Sequence, residues 1–471
     1  MADVVNADVD VIVLGMGPGG EAAAWRLLAA GKRVAVVERE LIGGECAYWA
    51  CMPSKTLLRP PETKAEATRA AGVASPTLAW PEVAAYRDWM TRHLDDTAQA
   101  QSLERHGALV VRGSGRLDGP GRVRVDGRLL TAPHVIVATG SDPRRPPVQG
   151  LDQVGVEVWT NREATQLREV PGRALVVGGG PVGIELGQVL ARFGATVTLV
   201  QAADRLIDRE DPRVGELAAG ALAADGIKVH VGRHVTRVAR RDGATLVELD
   251  DHTTIATDVI VLGAGRRPRL DDLGLETVGV KVEGEGEGGR GGRGLLVDEH
   301  CRAVGTDVGA EGEGLWAVGD VTGVALFTHV AKYQARVVAD TICGRPRRVS
   351  YRGIPRVVFC DPELAAVGLT HNQAVAQGHD AVTATIGLAE AIARPWTYER
   401  DPRGELGLVA DRRHRVLLGA WAVAPMAGEW IHQAALAVRA EIPIDTLLDG
   451  VAQFPTYSEA YLAALEHLEL S

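Results

Sequence analysis

The chain has 471 residues, of which 46% are hydrophobic, and it carries a formal net charge of −10 with a pI near 5.8. This length allows a large core and about three domains of roughly 150 residues each. The acidic balance argues against nucleic acid as a main partner, because such partners need a concentrated positive surface. The first ten residues are not basic, and no apolar run reaches the roughly 18 residues that a membrane span needs. We therefore expect a multidomain cytoplasmic protein without a membrane partner.

The first predicted unit is a strand from Val9 to Leu14, a glycine turn, a helix over about 19–30 and a second strand from Val34 to Glu38. The turn has the spacing G-x-G-x-x-G, which brings a pyrophosphate close to the backbone at a helix N-terminus. Glu38 ends the second strand, where a carboxylate can accept a hydrogen bond from a ribose hydroxyl. The pattern predicts a dinucleotide site, and its glycines are Gly15, Gly17 and Gly20.

The same pattern recurs further along the chain. A strand over Ala174 to Val177 precedes a glycine turn and a helix that extends toward Phe193. Two dinucleotide sites in one chain suggest two cofactors that exchange electrons, one a flavin and one a nicotinamide. The glycines of this second site are Gly178, Gly180 and Gly183.

The two copies differ at the end of the second strand. Glu38 lies 18 residues after Gly20, whereas the residue 18 after Gly183 is Gln201. A neutral amide there does not repel a 2′-phosphate, and Arg205 is near enough in sequence to pair with one. This favours NADPH slightly, and an NADH site in which Gln201 hydrogen-bonds the ribose stays open.

Two of the five cysteines, Cys46 and Cys51, are only five residues apart. In a reducing compartment such a pair is typical of catalysis or metal binding rather than of a structural brace. Residues five apart in an ideal helix are separated by about 7.5 Å along the axis, so a disulfide requires a distorted turn. Pro53 helps to supply it, because it cannot donate a hydrogen bond to the Trp49 carbonyl. Strained disulfides are easily reduced, which favours a redox couple; a metal site would need further ligands nearby, and C-x4-C has none in sequence.

The segment Gly-Gly-x-Cys-x4-Cys-x-Pro-Ser-Lys, placed soon after the first glycine turn, resembles the pyridine nucleotide–disulfide oxidoreductases. This flavoenzyme family includes dihydrolipoamide dehydrogenase, glutathione reductase and mercuric reductase. Three later segments, VIVATGSDPRRPP, VIVLGAGRRPRL and GLWAVGDV, resemble the family's A-T-G, G-R-x-P and second FAD motifs. The resemblance implies an α/β fold with two Rossmann-like dinucleotide-binding domains, for FAD and NAD(P), and a C-terminal α+β dimerisation domain.

The family layout also implies domain boundaries and an assembly. Residues 1–150 and 270–345 would form the FAD domain, residues 151–269 the NAD(P) domain and residues 346–471 the interface domain. In relatives the interface domain forms a homodimer in which the partner chain completes each active site. The glycine-rich segment 283–294 has too little apolar surface to pack, and we expect a flexible hairpin tip there.

Carried over residue by residue, the resemblance implies a division of labour between the cysteines. Cys51 would form the thiolate beside the flavin, and Cys46 would exchange with a substrate. Lys55 would lie by the flavin and pair with Glu185, where a cation favours both the anionic reduced flavin and the thiolate. Further cofactor-binding residues implied by the motifs are Gly44, Thr139, Gly140, Gly265 and Asp320, the last holding the ribityl chain of the flavin.

The chain departs from the family near its C-terminus. Members that turn over thiols carry His-Pro-Thr-x-x-Glu, whereas this chain has Phe454 in place of the histidine and keeps the glutamate as Glu459. Phenylalanine cannot transfer a proton, and loss of a positioned acid/base typically costs about 10²- to 10⁴-fold in rate. Mercuric reductases also lack this histidine but use a C-terminal cysteine pair, which LEHLELS does not supply, so mercury is disfavoured. The groups that could substitute for the imidazole are Tyr457, Glu459, Tyr461 and His432.

The predicted function is therefore an FAD-dependent NAD(P)H oxidoreductase that passes electrons through Cys46 and Cys51 to a small-molecule or disulfide acceptor, without a resident metal. One alternative is a quinone or metal-ion reductase that works directly from reduced flavin. Another is a flavin-bound sensor or interaction protein that has lost turnover. Tyr48 and Trp49 are bulkier than the residues between the cysteines of relatives, and would either shape an acceptor site or fill the core.

Overall fold

The computed structural model describes residues 8–241, 243–282, 294–305 and 313–470. Residues 283–293, which hold almost all of the predicted hairpin tip, lie outside this part. The chain divides into two discontinuous compact units, and the finer division into four segments stays a prediction. The first unit comprises Met1–Pro53, Arg87–Arg144 and Arg266–Ser350, and the second comprises Ser54–Tyr86, Arg145–Gly265 and Tyr351–Ser471.

The strands within the described residues are numbered along the chain. They are β1 (Val11–Leu14), β2 (Val34–Glu38), β3 (Leu109–Arg112), β4 (Gly115–Leu117), β5 (Arg122–Val125), β6 (Arg128–Thr131), β7 (His134–Val137), β8 (Ser141–Pro143), β9 (Val158–Trp159), β10 (Arg173–Val177), β11 (Thr196–Gln201), β12 (Lys228–Val231), β13 (Val235–Arg241), β14 (Ala244–Leu249), β15 (Thr254–Thr257), β16 (Val259–Leu262), β17 (Arg266–Pro268), β18 (Gly314–Ala317), β19 (Pro355–Val358), β20 (Glu363–Gly368), β21 (Ala381–Gly387), β22 (Glu405–Asp411) and β23 (Val416–Ala424).

The α-helices are numbered in the same way. They are α1 (Pro18–Ala29), α2 (Gly44–Tyr48), α3 (Cys51–Arg69), α4 (Trp80–Met90), α5 (Thr97–Arg105), α6 (Asn161–Thr165), α7 (Pro181–Arg192), α8 (Pro212–Ala224), α9 (Thr328–Ile342), α10 (His371–Ala376), α11 (Leu388–Ala391), α12 (Arg394–Tyr398), α13 (Ala427–Trp430), α14 (His432–Ala440), α15 (Ile444–Leu448) and α16 (Glu459–Glu466). Among the described helices, none is long and apolar enough to cross a membrane.

The first unit is built on a parallel sheet with strand order β18-β7-β1-β2-β3. Its central strand β1 is the run VIVL, and all four side chains are buried. Such continuous apolar runs are typical of parallel strands that are covered on both faces. An antiparallel three-stranded sheet, β4-β5-β6, lies between β3 and β7 in sequence. Helix α1 packs against α9 in this unit.

The second unit contains a sheet with the same arrangement and a further antiparallel sheet. The parallel sheet has the order β12-β11-β10-β16-β9, and the antiparallel sheet β13-β14-β15 lies between its strands β12 and β16 in sequence. The C-terminal part forms a five-stranded antiparallel sheet in the order β19-β20-β23-β22-β21. The predicted α/β fold, with two similar nucleotide-binding sheets and a C-terminal α+β part, is confirmed.

A buried carboxyl group in the C-terminal sheet makes stability depend on pH. Glu363, the first residue of β20, accepts a hydrogen bond of 2.7 Å from the backbone N–H of Gly428. Burial raises the pKa of Glu363 from 4.5 to about 7, although the Gly428 hydrogen bond opposes this shift. The folded chain therefore binds the proton more tightly than the unfolded chain does.

We expect the Glu363 carboxyl group to stabilise the fold fully below about pH 4.5 and to lose that contribution as the pH rises to about 7. The loss amounts to about 3 kcal/mol. The variant Glu363→Gln stays neutral, so its thermal midpoint should exceed that of the wild type by a few degrees at pH 8 and match it near pH 4.5. Scanning calorimetry at both pH values measures this difference. Equal midpoints at both would show that Glu363 ionises in the fold as it does in the unfolded chain.

Candidate active site

The first glycine turn has the geometry that a pyrophosphate needs. A Cβ atom on Gly20 would lie 1.9 Å from the Gly15 carbonyl oxygen, so the helix can approach the strand this closely only with glycine at that position. A Cβ on Gly17 would meet nothing within 4 Å among the described residues. Gly17 precedes α1, whose N-terminus has no side-chain cap. Backbone N–H groups at this open N-terminus can therefore bind phosphate oxygens.

The second glycine turn repeats this geometry. A Cβ on Gly183 would lie 1.9 Å from the Gly178 carbonyl oxygen, while one on Gly180 would meet nothing within 4 Å in the part of the chain that is described. Gly180 precedes α7, whose N-terminus also has no side-chain cap. Each of the two units thus holds one turn that fits a dinucleotide.

The residues at the ends of β2 and β11 also have equivalent positions. Glu38 accepts a hydrogen bond of 2.7 Å from the Met16 N–H through Oε2. Gln201 accepts one of 2.9 Å from the Gly179 N–H through Oε1. Met16 and Gly179 each follow the first glycine of their turn. Both side chains therefore fix the glycine turn and lie where a ribose would bind.

Arg205 follows β11 and is held by the chain that succeeds it. Its Nη2 donates hydrogen bonds of 2.7 Å to the Asp208 carbonyl and 3.4 Å to the Glu210 carbonyl. Two neighbouring carbonyls thus already occupy one of the guanidinium nitrogens that could bind a 2′-phosphate. The Gln201 amide nitrogen lies 3.5 Å from the Arg205 carbonyl oxygen, so both residues belong to one local turn.

Asp320 lies in a short helical turn directly after β18. Ser141 Oγ donates a hydrogen bond of 2.6 Å to its carboxylate, and Arg266 Nε donates one of 2.7 Å to the Ser141 hydroxyl. Burial raises the pKa of Asp320. A carboxyl group held in this way can bind a cofactor hydroxyl, as the ribityl assignment requires.

The remaining predicted cofactor residues lie in the segments that link the two units. Thr139 Oγ1 donates a hydrogen bond of 3.0 Å to the Arg269 carbonyl, and the Gly140 carbonyl accepts one of 2.9 Å from the Arg269 N–H. Gly265 adopts a φ of +94° between β16 and β17. These residues lie at turns, and their contacts within the chain are those of the backbone.

The cysteine pair lies on two consecutive helices rather than on one. Cys46 is inside α2, which ends at Tyr48, and Cys51 is the first residue of α3. The distorted turn expected between them is a complete break of the helix. Pro53 is the third residue of α3, where a backbone N–H has no intrahelical partner in any case, so proline is tolerated there. The structure holds the pair as two thiols.

The two glycines before Cys46 pack α2 against the first glycine turn. Gly43 donates a backbone hydrogen bond of 2.8 Å to the Met16 carbonyl. A Cβ on Gly44 would lie 2.7 Å from the Gly17 Cα, and Gly44 has a φ of +60°. A side chain there would push α2 away from the turn. The redox helix and the FAD turn are therefore positioned together.

Thr328 contacts both sulfur atoms. Its hydroxyl donates a hydrogen bond of 3.2 Å to Cys46 Sγ and lies 3.5 Å from Cys51 Sγ. Hydrogen bonding with the Cys51 thiol, together with burial, raises the pKa of Cys46, while Thr328 and the charge of Lys332 lower it. Thr328 is 282 residues from Cys46 in sequence. Sequence reasoning missed it, because a single threonine at a helix start carries no motif.

Lys55 and Glu185 form the predicted ion pair within the second unit. Lys55 Nζ lies 2.6 Å from Glu185 Oε2, and Glu185 is buried. The other carboxylate oxygen accepts a hydrogen bond of 3.0 Å from the Phe359 N–H. Lys55 Nζ also lies 4.7 Å above the Phe359 ring. Phe359 is a further residue that the sequence did not indicate, since no motif surrounds it.

The C-terminal segment contains an exposed phenyl ring and an unsatisfied carboxylate. Phe454 is 72% exposed. Glu459 begins α16, and its Oε2 is buried with no hydrogen-bond partner in the described chain. Tyr457 stacks on Trp430 with ring centroids 6.0 Å apart, and Tyr461 donates a hydrogen bond of 3.3 Å to the Trp430 carbonyl. Burial raises the pKa of both tyrosines, so they are core residues that hold their protons.

The aromatic pair between the cysteines is mainly structural. Tyr48 is fully buried, and its hydroxyl donates a hydrogen bond of 3.1 Å to the Ile42 carbonyl. Trp49 is half-buried, with its ring centroid 5.8 Å from that of Tyr48. Of the two interpretations of Tyr48, core filling therefore agrees with the structure, and only Trp49 is placed to contact an acceptor.

Comparison with known protein families gives two matches that together span most of the chain. Residues 9–335 match the family described as pyridine nucleotide-disulphide oxidoreductase. Residues 354–465 match the dimerisation domain of the same family. The second match supports a homodimer, and the family uses FAD together with NAD(P)H.

Individual relatives cover nearly the whole chain. A dihydrolipoyl dehydrogenase from Thermus scotoductus is 33% identical over 98% of this chain and 97% of its own length. A mercuric reductase from Staphylococcus aureus is 30% identical over 98% of this chain and 82% of its own length. Among solved structures, the HOCl-induced flavoprotein disulfide reductase RclA from Escherichia coli aligns with a TM-score of 0.83 and 26% identity, covering 97% of this chain and 99% of that chain. The chain belongs to the pyridine nucleotide-disulfide oxidoreductase family of FAD-dependent enzymes.

Proposed function

We propose that this enzyme passes electrons from NAD(P)H to the Cys46–Cys51 pair and from Cys46 to an acceptor outside the protein. The observation that carries this proposal is the single hydroxyl group of Thr328, which contacts both sulfur atoms. Two sulfurs that share one hydrogen-bonding group lie near enough to form and break a disulfide after small shifts of their side chains. Bound FAD would supply the two-electron step between the nicotinamide and this disulfide.

The residues around the pair support distinct roles for its two members. Cys51 begins α3, where the partial positive charge of a helix N-terminus stabilises a thiolate. Lys55 follows one helical turn later and keeps its charge because Glu185 pairs with it. Cys46 would be the member that meets the acceptor. Glu38 and Asp320 would hold the FAD, and Gln201 would face the nicotinamide dinucleotide, with NADPH as our proposed donor because the amide is neutral.

Reduction of a soft metal ion is a second candidate, and the replacement of the catalytic histidine by Phe454 favours it. A thiolate pair binds soft ions such as Cu(I) through sulfur, and a metal acceptor needs no proton from the protein. One relative is named mercuric reductase, and a solved structure with a TM-score of 0.85 and 25% identity is a Cu(II) complex of RclA from Escherichia coli. Within the described residues, no group of three or more His, Cys, Asp or Glu side chains is placed to hold a resident metal.

Anaerobic titration with NADPH, and in parallel with NADH, tests the dithiol route. We expect one equivalent to produce a long-wavelength charge-transfer band while the flavin stays oxidised, because the electrons come to rest on the cysteines and the Cys51 thiolate lies against the flavin. The variant Cys51→Ser should bleach without that band. Bleaching of the wild type without the band would exclude the dithiol route and leave direct transfer from reduced flavin.

A further inference from the structure

A thiol must lose its proton before it can attack a disulfide or bind a soft metal ion. In this protein Phe454 cannot remove that proton, and the two nearby tyrosines are buried in the core. The protein therefore needs another group that favours the thiolate of Cys46. The elements that contact Cys46 in the first unit can supply one.

Helix α9 begins at the cysteine pair and carries a cation one turn later. Thr328, its first residue, contacts both sulfur atoms. Lys332 is four residues further on, and residues at this spacing lie on the same face of a helix about 5–6 Å apart at their Cβ atoms. Lys332 is exposed, so its flexible side chain can extend toward the sulfurs. We propose that Lys332 is the cation that stabilises the Cys46 thiolate, in place of the missing interface histidine.

The charge of Lys332 is also the one that acts on Cys46 in the direction this role requires. It lowers the pKa of the Cys46 thiol, as the Thr328 hydrogen bond does, against the effects of Cys51 and burial. It acts on Glu21 of α1 as well, but burial raises the pKa of Glu21 to about 7, so near neutral pH this group is only partly charged. The side chain of Lys332 is therefore not fully committed to a carboxylate.

The other charged groups near the pair have partners of their own. Glu45, next to Cys46 on α2, lies 3.8 Å from Arg266. The charge of Arg92 opposes the raised pKa of Glu21. On α3, Lys55 is paired with Glu185 at 2.6 Å. Among these groups Lys332 is the cation on the helix face that begins with Thr328. His329, also on α9, is stacked with Phe327 at 5.1 Å and is the competing candidate.

This inference rests on the proposed function, in which Cys46 attacks the acceptor. With a disulfide acceptor, the Cys46 thiolate forms a bond to one acceptor sulfur, and the other acceptor sulfur leaves as a thiolate and takes a proton from water. Cys51 then attacks Cys46, the Cys46–Cys51 disulfide forms again, and the first acceptor sulfur leaves as a thiolate. The two electrons gained by the acceptor are those that had reduced the cysteine pair.

The test measures how fast Cys46 of the whole reduced enzyme reacts with iodoacetamide between about pH 6 and pH 9, where a thiol of ordinary pKa begins to ionise. The protein is reduced with dithiothreitol, and the label is assigned to Cys46 by tandem mass spectrometry. We expect Lys332→Gln to move the midpoint of the profile upward by about one pH unit and to slow labelling at pH 7 by up to about tenfold. Lys332→Arg keeps the charge and should stay within about twofold of the wild type.

A profile of Lys332→Gln that coincides with the wild type would overturn the inference, as would a shift in His329→Gln with none in Lys332→Gln. His432→Gln is the matched control, because His432 is exposed at the start of α14 and belongs to the second unit. This readout does not depend on the acceptor or on NAD(P)H. If NAD(P)H produces no charge-transfer band but the labelling profiles differ as expected, the proposed function fails and the inference about Lys332 stands.

Discussion

Replacing Cys46 by serine is expected to lower the reduction of a disulfide acceptor by about 10³-fold or more, because the attacking sulfur is lost and a serine hydroxyl is not ionised near neutral pH. Reduction of the flavin by NAD(P)H should continue at close to the wild-type rate, since the Lys55–Glu185 pair and both glycine turns are unchanged. Stopped-flow absorbance separates the two steps, and acceptor-dependent consumption of NAD(P)H measures the whole cycle.

The matched control for this variant is Cys343→Ser. Cys343 is half-buried at the C-terminal end of α9 and belongs to the same unit. It should retain turnover, because it lies at the opposite end of that helix from Thr328. Quinone or metal-ion reduction that survives in Cys46→Ser would show that those acceptors take electrons without the dithiol. A disulfide reductase activity that survives there would refute the role of Cys46.

Introducing a histidine at position 454 is expected to increase disulfide turnover by about 10²-fold. The variant Phe454→His restores an imidazole to the motif that already contains Glu459, whose Oε2 is buried without a hydrogen-bond partner in the described chain. An imidazole N–H would give that carboxylate a partner and would supply a proton to the leaving thiolate. The pH profile of kcat should then gain a titration near the usual imidazole pKa of about 6.5.

The variant Phe454→Gln separates this effect from that of polarity. Glutamine can hydrogen-bond but cannot transfer a proton, so its turnover should stay near that of the wild type. Because Phe454 is largely exposed, neither substitution should disturb the core. Equal rates for the histidine and glutamine variants would mean that the acceptor step does not need an acid/base at this position.

The fold could be predicted because its signals are local. The apolar runs of β1 and β10, the glycine turns after them and the acid or amide at the end of the next strand are all contained in about 30 residues. Boundaries were less certain. The first strand was expected from Val9 but begins at Val11, since the Asp10 carboxylate accepts hydrogen bonds from Arg33 at the start of the next strand. A polar contact of this kind leaves no periodic pattern.

The site could be predicted only where its residues form motifs. Cys46, Cys51 and Lys55 are recognisable together because one helix break and one helix start position them. Thr328 and Phe359 contact this chemistry from distant parts of the chain, and each is a single residue without a spacing rule. Their positions follow from tertiary packing, which propensity and periodicity do not encode.

The discontinuity of the first unit constrains how a new chain can fold. Strand β18 completes the first sheet by pairing with β7, and all of residues 145–265, which belong to the other unit, are synthesised between them. At about 5–20 residues per second, the growing chain exposes the edge of β7 for about ten to forty seconds before its partner exists. Unpaired strand edges template aggregation. Asp320 emerges only after β18, so the complete FAD site forms late, and the supply of FAD during synthesis should influence how much soluble enzyme a cell obtains.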